Sequence, residues 1–544
     1  MASPPVGPGL YEQVLAAAGG ALPPARPPRA SAAVVPWRRR EADGRLEVWW
    51  IRRGRQLPFM GGWHAFPGGT IDPTDEKIPS KGRPAHAAPE ARTPGLPDLE
   101  AMSIEPDLAP GIAACAAREL FEEAGILLGP AGPTPSMEAF RSACLDKSIE
   151  FGEGLRERGW SLELSRLVFA GRWLTPPFGA MRFDNRFFLL EWREADGGPS
   201  ALPPENDGGE WIEPARALDR VAAGEALAAP PILHLLRVLA EDGPERGRPR
   251  LLDTREADLG PMRRIELRPG VLLLPLAAAT LPPASHVNTY LLGGGEAVLV
   301  DPGSPFPAEN AKLLAALEAA RERLGRRVVE IWLTHHHPDH VAGVETVRRE
   351  LGVGVAAHPA AAARLAARGI AVDRALADGE RRRLEGGPGV ELVVHHTPGH
   401  ARGHVAIEVA PGRDLIAGDL VAGFGTIVID PPEGDMDEYL ASLERMRGRG
   451  LRTLFPAHGA PVLDADGRLA EYVAHRLARE REVLACWRSG LRAPREMLAA
   501  VYPDVPAAAQ PLAERQIVAH LERLARRGEL RADGSHADTM PSPR

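Results

Sequence analysis

At 544 residues the chain is too long for one hydrophobic core, and its length points to about three domains. A formal net charge of −8 excludes a protein that coats nucleic acid non-specifically, while leaving room for a local basic surface. The cysteines Cys115, Cys144 and Cys486 are too far apart to suggest a disulfide framework or a cysteine-based zinc site. No apolar run reaches the ~18 residues of a membrane span. The N-terminus has no basic flank followed by an apolar core, so the expectation is a cytoplasmic protein with reduced thiols.

In chain order, a Pro-rich stretch from Ala21 to Arg29 reads as part of a flexible arm over residues 1–30. Strand-like segments follow at Ala32–Pro36, Leu46–Arg52 and Arg186–Trp192. Among them lies a strong helix, about Ile112 to Gly125. Together they predict an α+β domain over residues 31–240. On the helix, Glu119, Glu122 and Glu123 stand at i, i+3 and i+4 and share one face. Like charges so close repel unless a cation joins them. A surface helix with clustered glutamates is the alternative, and a divalent ion with bound phosphates is the functional one.

The loop upstream weighs on that choice. Ala65-Phe-Pro-Gly-Gly69 ahead of Arg118-Glu-Leu-Phe-Glu-Glu-Ala-Gly125 resembles a Nudix box. The resemblance implies a Nudix fold that cleaves diphosphates, with Mg²⁺ or Mn²⁺ as cofactor. Glu119, Glu122 and Glu123 would bind metal, Glu119 and Glu122 would serve catalysis, and Arg118 would tie the helix to the loop. Two departures stand out: Asp75 replaces the upstream glutamate, and residues 76–117 form a long insertion rich in Pro, Ala and Gly. A similar interruption, and the run Met181-Arg-Phe-Asp-Asn-Arg-Phe-Phe188, resemble Nudix proteins of the acyl-coenzyme A diphosphatase type, which implies an acyl-coenzyme A or nucleotide diphosphate substrate.

Residues 241–262, rich in Pro, Gly and charge, read as a linker. Beyond it, apolar strands each deliver polar residues at their C-terminal ends. Val298-Leu-Val300 leads to Asp301-Pro-Gly303, Ile331-Trp-Leu333 to a histidine cluster, Val393-Val394 to His396-Thr-Pro-Gly-His400, and Leu415-Ile416 to Gly418-Asp419. Four ligand-type residues (His335, His337, Asp339, His340) fall within six positions, and His400, Asp419 and His458 are the natural partners from other strand ends. Isolated histidines are usually satisfied core or surface residues; so dense a cluster points to metal. His336 is expected to point away from the cluster, and His396 and His404 are assigned supporting or structural places.

This order, His-x-His-x-Asp-His and then a lone His, Asp and His, resembles the metallo-β-lactamase superfamily over residues 263–470. The resemblance implies an αββα sandwich and two Zn²⁺ or other transition-metal ions. His335, His337 and His400 would hold one ion. Asp339, His340 and His458 would hold the other, Asp419 would bridge them, and Asp339 would also orient the nucleophile. The stretch from TPGHARGH to EYVAHRLARE resembles the β-lactamase-like protein 2 group, with a glyoxalase II-like signature, and implies a C-terminal winged helix over residues 471–535 before a tail at 536–544. Ile517, Leu521 and Leu524 give the amphipathic helix it requires, ahead of a basic turn, Arg526–Leu530.

The reading is therefore a multidomain metal-dependent hydrolase acting on an ester or thioester, fused to a Nudix diphosphohydrolase. The alternative is an endoribonuclease on single-stranded RNA with the Nudix domain as a ligand-binding module, for which Arg476, Arg479, Arg481, Arg488 and Trp487 are candidate contacts. Expected partners are small esters, thioesters or diphosphates, with RNA and a second copy of the chain as alternatives, and no membrane.

Overall fold

The computed structural model describes residues 27–57, 60–82, 84, 109–129, 135–176, 181–202, 205–281, 283–387, 389–410 and 412–530. The expected arm at 1–30 and tail at 536–544 lie mostly or wholly outside the described residues, as does most of the insertion 76–117. The chain divides into two compact units with a boundary between Leu272 and Leu273.

In the first unit, β1 (Arg29–Arg39), β2 (Leu46–Arg53), β3 (His64–Ala65), β4 (Gly68–Thr70), β5 (Val168–Leu174), β6 (Phe183–Glu191) and β7 (Asn206–Ile212) form one mixed sheet. Its order is β3-β2-β1-β6-β5, with β4 added to β1 and β7 to β2. The β1–β6 pair is parallel and sets Val34 opposite Phe188. Alternate residues of three strands, namely Ala32 and Val34, Trp49 and Ile51, and Phe188 and Leu190, share one core with the helix α1 (Ala109–Ala124). Ile112, Cys115, Ala116 and Leu120 of α1 are buried in that core. Gly125, at φ 74°, ends the helix, its N–H donating to Phe121 O at 2.8 Å.

The expected linker is folded. A helix, Pro230–Arg246, runs into it and kinks at Gly243 (φ 73°) ahead of Pro244. A short helix, Arg248–Leu252, and an antiparallel pair, Asp258–Leu259 with Met262–Arg263, follow. The charges that suggest solvation pair with one another instead: Arg250 reaches Glu241 at 2.7 Å, Asp242 at 2.6 Å and Glu256 at 3.0 Å. Pro and Gly mark a helix break here, which composition does not separate from a loop.

The second unit holds two sheets. The first runs β8 (Val271–Ala277), β9 (His286–Leu292), β10 (Glu296–Val300), β11 (Arg327–Trp332), β12 (Gly354–Ala357) and β13 (Arg374–Ala375). The other runs β14 (Arg381–Leu384), β15 (Val390–His396), β16 (Val405–Ala410), β17 (Asp414–Gly418) and β18 (Thr453–Pro456). Helices Pro307–Leu324, Val344–Leu351, Pro359–Ala367 and Met436–Met446 complete an α/β sandwich. β10, β11 and β12 pair in parallel, so their C-terminal ends lie at one edge.

The expected boundary at 470/471 falls inside a single helix, Ala465–Arg488. Its first half packs Leu469, Tyr472 and Val473 into the sandwich core, and its second half packs Val483 and Cys486 into a small C-terminal core. That smaller core is completed by Met497 and Val501 of the helix Pro494–Val501 and by Ile517 and Leu524 of the helix Gln510–Arg526. No described helix is long and apolar enough to cross a membrane.

Candidate metal centre

β11 ends at Trp332, and the chain then passes His335 and His337 into a one-turn helix, Pro338–Val341, with Pro338 in its first turn. That turn lies directly on the Asp301-Pro-Gly303 corner after β10. A Cβ on Gly303 would stand 1.7 Å from Asp339 O, so only glycine allows the two backbones to meet. His400 follows β15, Asp419 follows β17 and His458 follows β18.

The structure brings all seven residues into two adjoining groups. His335, His337, His400 and Asp419 form one, and Asp339, His340 and His458 the other, each with ligand atoms within 4.8 Å of one another. His335 Nε2 lies 2.8 Å from His337 Nδ1, which lies 2.9 Å from His400 Nε2. Asp419 stands between the groups. Its Oδ2 is 3.3 Å from His400 Nε2, while its Oδ1 is 3.6 Å from both His340 Nε2 and His458 Nε2. Asp339 Oδ2 approaches His458 Nε2 at 3.4 Å.

The opposite ring nitrogens fix which atom faces the cluster. His400 Nδ1 lies 2.7 Å from Val428 O and His458 Nδ1 2.9 Å from His286 O. A carbonyl only accepts, so both Nδ1 atoms carry a proton and both Nε2 atoms face the cluster. Asp301 does the same for His340, with Oδ2 2.8 Å from Nδ1. The Asp301 carboxylate also accepts from Thr334 N at 2.8 Å and Thr334 Oγ1 at 2.6 Å. His404, fully buried, accepts the Asp419 N–H on Nε2 at 2.9 Å and donates from Nδ1 to Thr397 Oγ1, 2.8 Å away. It therefore places the Asp419 backbone. His396 donates from Nε2 to Arg402 O at 2.8 Å and stacks on His358 with ring centres 3.9 Å apart. His336 is buried and belongs to neither ligand group.

Do these residues fit a metal? Both oxygens of Asp339, Oδ1 of Asp419, and Nε2 of His340 and His458 are buried without a conventional hydrogen bond. Desolvated polar atoms in that state cost free energy unless something positive joins them. Donor nitrogens about 2.0–2.1 Å from a tetrahedral ion stand roughly 3.3 Å apart, close to the spacing of the three converging rings. Burial pushes His335 and His337 well below the ordinary imidazole range, and neighbouring imidazoles push the same way. Burial opposes charge at Asp419 and Asp339 too, but His340 and His458 outweigh it and hold both carboxylates low. Despite burial, the same carboxylates raise His340 well above the ordinary imidazole range and raise His458 too, so these rings hold protons that an ion would displace. With those protons displaced, imidazole nitrogens beside ionised carboxylates are the donor set of a divalent metal.

Helix α1 arranges its glutamates differently. Arg118 makes a two-point contact with buried Asp75, Nε to Oδ1 at 2.7 Å and Nη2 to Oδ2 at 3.1 Å, which spans the insertion. Its Nη1 donates to Glu119 at 2.8 Å and to Glu122 at 3.0 Å. Glu123 accepts the Gly68 N–H at 2.8 Å, and Glu119 lies against Gly69, where a Cβ would sit 2.3 Å from its Oε1. Burial raises all three carboxyls, Glu122 to about 7 and Glu123 to about 8, with Arg118 opposing the shift at Glu119 and Glu122. Glu119 and Glu122 face a cavity of about 480 Å³ that also takes in Lys147 and Glu150.

The basic residues offered as RNA contacts do not form one face. Arg476 is fully buried, donating to Gln516 Oε1 at 2.7 Å and to Ile427 O. Arg479 is tied to Glu482 at 2.8 Å and to Val501 O. Arg481 and Arg488 are exposed, with Trp487 partly so.

A two-sheet sandwich carrying a His/Asp cluster at its strand ends defines a metal-binding hydrolase. Residues 282–458 match the metallo-beta-lactamase superfamily, and residues 493–538 match the beta-lactamase associated winged helix domain. The chain is 30% identical over 266 residues to the beta-lactamase-like protein 2 homolog of Drosophila melanogaster, covering 46% of this chain and 85% of that one. It is 27% identical over 238 residues to the atrochrysone carboxyl ACP thioesterase of a Cryptosporiopsis species, covering 43% and 68%. A solved NUDIX hydrolase from Alicyclobacillus acidocaldarius is 30% identical and covers 42% of this chain and 97% of that one, with a TM-score of 0.35. The chain belongs to the metallo-β-lactamase superfamily, and it is a hydrolase.

Proposed function

We propose that the His/Asp cluster holds two transition-metal ions, zinc from its donor set, and hydrolyses an ester or thioester. Asp419 carries this reading: one of its oxygens faces each ligand group, as a bridging carboxylate requires. His335, His337 and His400 would hold one ion and Asp339, His340 and His458 the other. Two such ions supply Lewis acidity, lowering the pKa of water and polarising a carbonyl. The chain's own part is to fix the rings through Asp301, Val428 O and His286 O, and to place a base. Asp339, with both oxygens buried and without a hydrogen bond, would accept the proton of the attacking water and return it to the leaving thiol or alcohol as the acyl–S or acyl–O bond breaks. The acyl carrier protein thioesterase among the relatives favours the thioester.

The N-terminal unit is proposed as a Nudix diphosphohydrolase using Mg²⁺ or Mn²⁺ at Glu119, Glu122 and Glu123. The Asp75–Arg118 ion pair supports it, since it restores across the insertion the loop-to-helix tie that the resemblance calls for.

A panel of acyl-coenzyme A, hydroxyacyl thioesters, nucleotide diphosphates and single-stranded RNA, run on wild type, Asp339→Ala and Glu122→Ala, tests both halves. Thioester turnover lost in Asp339→Ala is expected. RNA cleavage lost in that variant, with thioesters untouched by wild type, overturns the substrate assignment.

A further inference from the structure

Two of the outward ring contacts, Asp301 to His340 and His286 O to His458, come from the ends of sandwich strands. Val428 O, which orients His400, lies on the chain between β17 and the helix Met436–Met446, in a stretch without ladder or helix to hold it. The side chains of Ile427 and Ile429 pack in the sandwich core, and their carbonyls are held by the C-terminal helices. Arg476, on Ala465–Arg488, donates to Ile427 O, and Gln516, on Gln510–Arg526, donates from Nε2 to Ile429 O at 3.1 Å. Arg476 and Gln516 also bond each other at 2.7 Å, and all four side chains of this junction (Ile427, Ile429, Arg476, Gln516) are buried.

The alternation matters. Successive carbonyls of extended chain point to opposite sides. With Ile427 O and Ile429 O fixed toward the C-terminal helices, Val428 O is turned the other way, onto His400 Nδ1. Further along, Arg515 bonds Asp430 and Pro431 O, while Tyr472 OH donates to Gly425 O at 3.0 Å. The segment is thus held at its far end by Arg515 of the C-terminal helices and at its near end by Tyr472, from the half of the long helix that packs on the sandwich.

We infer that the C-terminal winged-helix domain is a structural part of the metal centre, with Arg476 and Gln516 acting as positioning residues for His400 through the carbonyl of Val428. This rests on the reading that His400 ligates a metal. A buried arginine and glutamine tied to two carbonyls flanking a third accounts both for their burial and for the direction of the His400 ring. Simple docking of one domain on another would need neither.

The test uses the full chain and zinc alone, by competition with a chromophoric chelator, together with the absorption spectrum of the cobalt-substituted protein. Gln516→Leu and Arg476→Met are expected to weaken one of two zinc ions by about tenfold, the low end for an outer partner of a ligand, and to alter the cobalt spectrum. Arg476→Lys, which keeps a donor, should recover part of the loss. Arg479→Met is the control: it loosens the same helix through Val501 O without touching residues 427–429, so its unfolding midpoint should fall while zinc affinity stays. Equal loss of zinc in Arg479→Met, or wild-type affinity in both Gln516→Leu and Arg476→Met, overturns the inference. If His400→Ala also keeps both zinc ions, the metal reading itself has failed. If His400→Ala loses one and the two positioning variants lose none, only this inference has.

Discussion

At the His/Asp cluster the imidazoles His340, His400 and His458 are each held through the nitrogen that faces away from the group. On α1 the glutamates instead lean on a guanidinium already standing among them. In the first arrangement the carboxylates Asp339 and Asp419 face the rings of His340 and His458, whose protons they favour, and no described Lys or Arg stands between them. The second neutralises much of its own charge. On the proposed readings, both sites would release protons to an ion, but only the glutamate site would also have to rearrange Arg118 contacts.

The sharpest way to break this contrast is Asp419→Ala. With the shared carboxylate gone, both ions should be held poorly, and esterase activity should fall on the order of 10³-fold, several kcal/mol of Lewis-acid stabilisation. Metal content by atomic emission, read beside kcat/KM, checks it; one ion retained at full affinity would show that Asp419 does not bridge. Next comes Glu122→Gln, expected to lower any diphosphatase rate by about 100-fold while leaving thioester turnover intact. Loss of both activities would mean that the two centres are not separate. Asp301→Asn should weaken metal binding at the His340 group by about 10- to 100-fold, the usual effect of removing a ligand's outer partner. Equilibrium dialysis against zinc measures that.

Two smaller effects concern the glutamate site without metal. Asp75→Asn should destabilise the first unit by about 1.5–3 kcal/mol, the worth of a hydrogen bond to a charged group, since Arg118 loses a buried carboxylate but keeps Glu119 and Glu122; urea unfolding followed by Trp fluorescence reads it. The pH dependence follows from the raised carboxyls. Glu122 at about 7 and Glu123 at about 8 keep protons in the folded state that an unfolded glutamate, near 4.5, has released. The stabilisation from these protons is complete below about 4.5 and is lost as pH rises toward 8. The metal-free unfolding midpoint should fall over that window, each kcal/mol being worth roughly 2–4 °C, and Mg²⁺ should restore more of it at pH 8 than at pH 6. A midpoint that rises from pH 5 to 8 would contradict the burial of Glu123.

The clustered histidines are legible in the sequence because ligand-type residues packed so densely at a strand end have no ordinary core or surface role to fill, and the structure gathers them with His400, Asp419 and His458. Asp75 is legible by counting from Gly69, whereas its pairing with Arg118, made across 43 positions, is seen only in the structure. Asp301 shows in the sequence only as part of a turn; its contact with His340 is made across 39 positions and leaves no local pattern. His404 looks like any flanking histidine, and its role depends on where one backbone N–H of Asp419 falls. Val428 acts through a carbonyl that every residue possesses, so no sequence signal exists for it. Arg476 looks solvated in the sequence because a helix buried at both ends still carries charges whose tertiary partners lie far along the chain. The stretch 241–262 resembles a linker for a related reason, its charges being paired across a kink.

The helix Ala465–Arg488 lends one half to each of two cores, and this has a consequence for how the protein is made. A chain emerges from the ribosome N-terminus first, and domains ordinarily fold as units in that order. Here the last ligand-type residue, His458, is already out when the second half of that helix and the partners of its core, Met497 to Leu524, are still to be synthesised. On the inference that Arg476 and Gln516 position His400, the cluster is completed by residues that are made after its last candidate ligand, and its maturation would be a late event in synthesis.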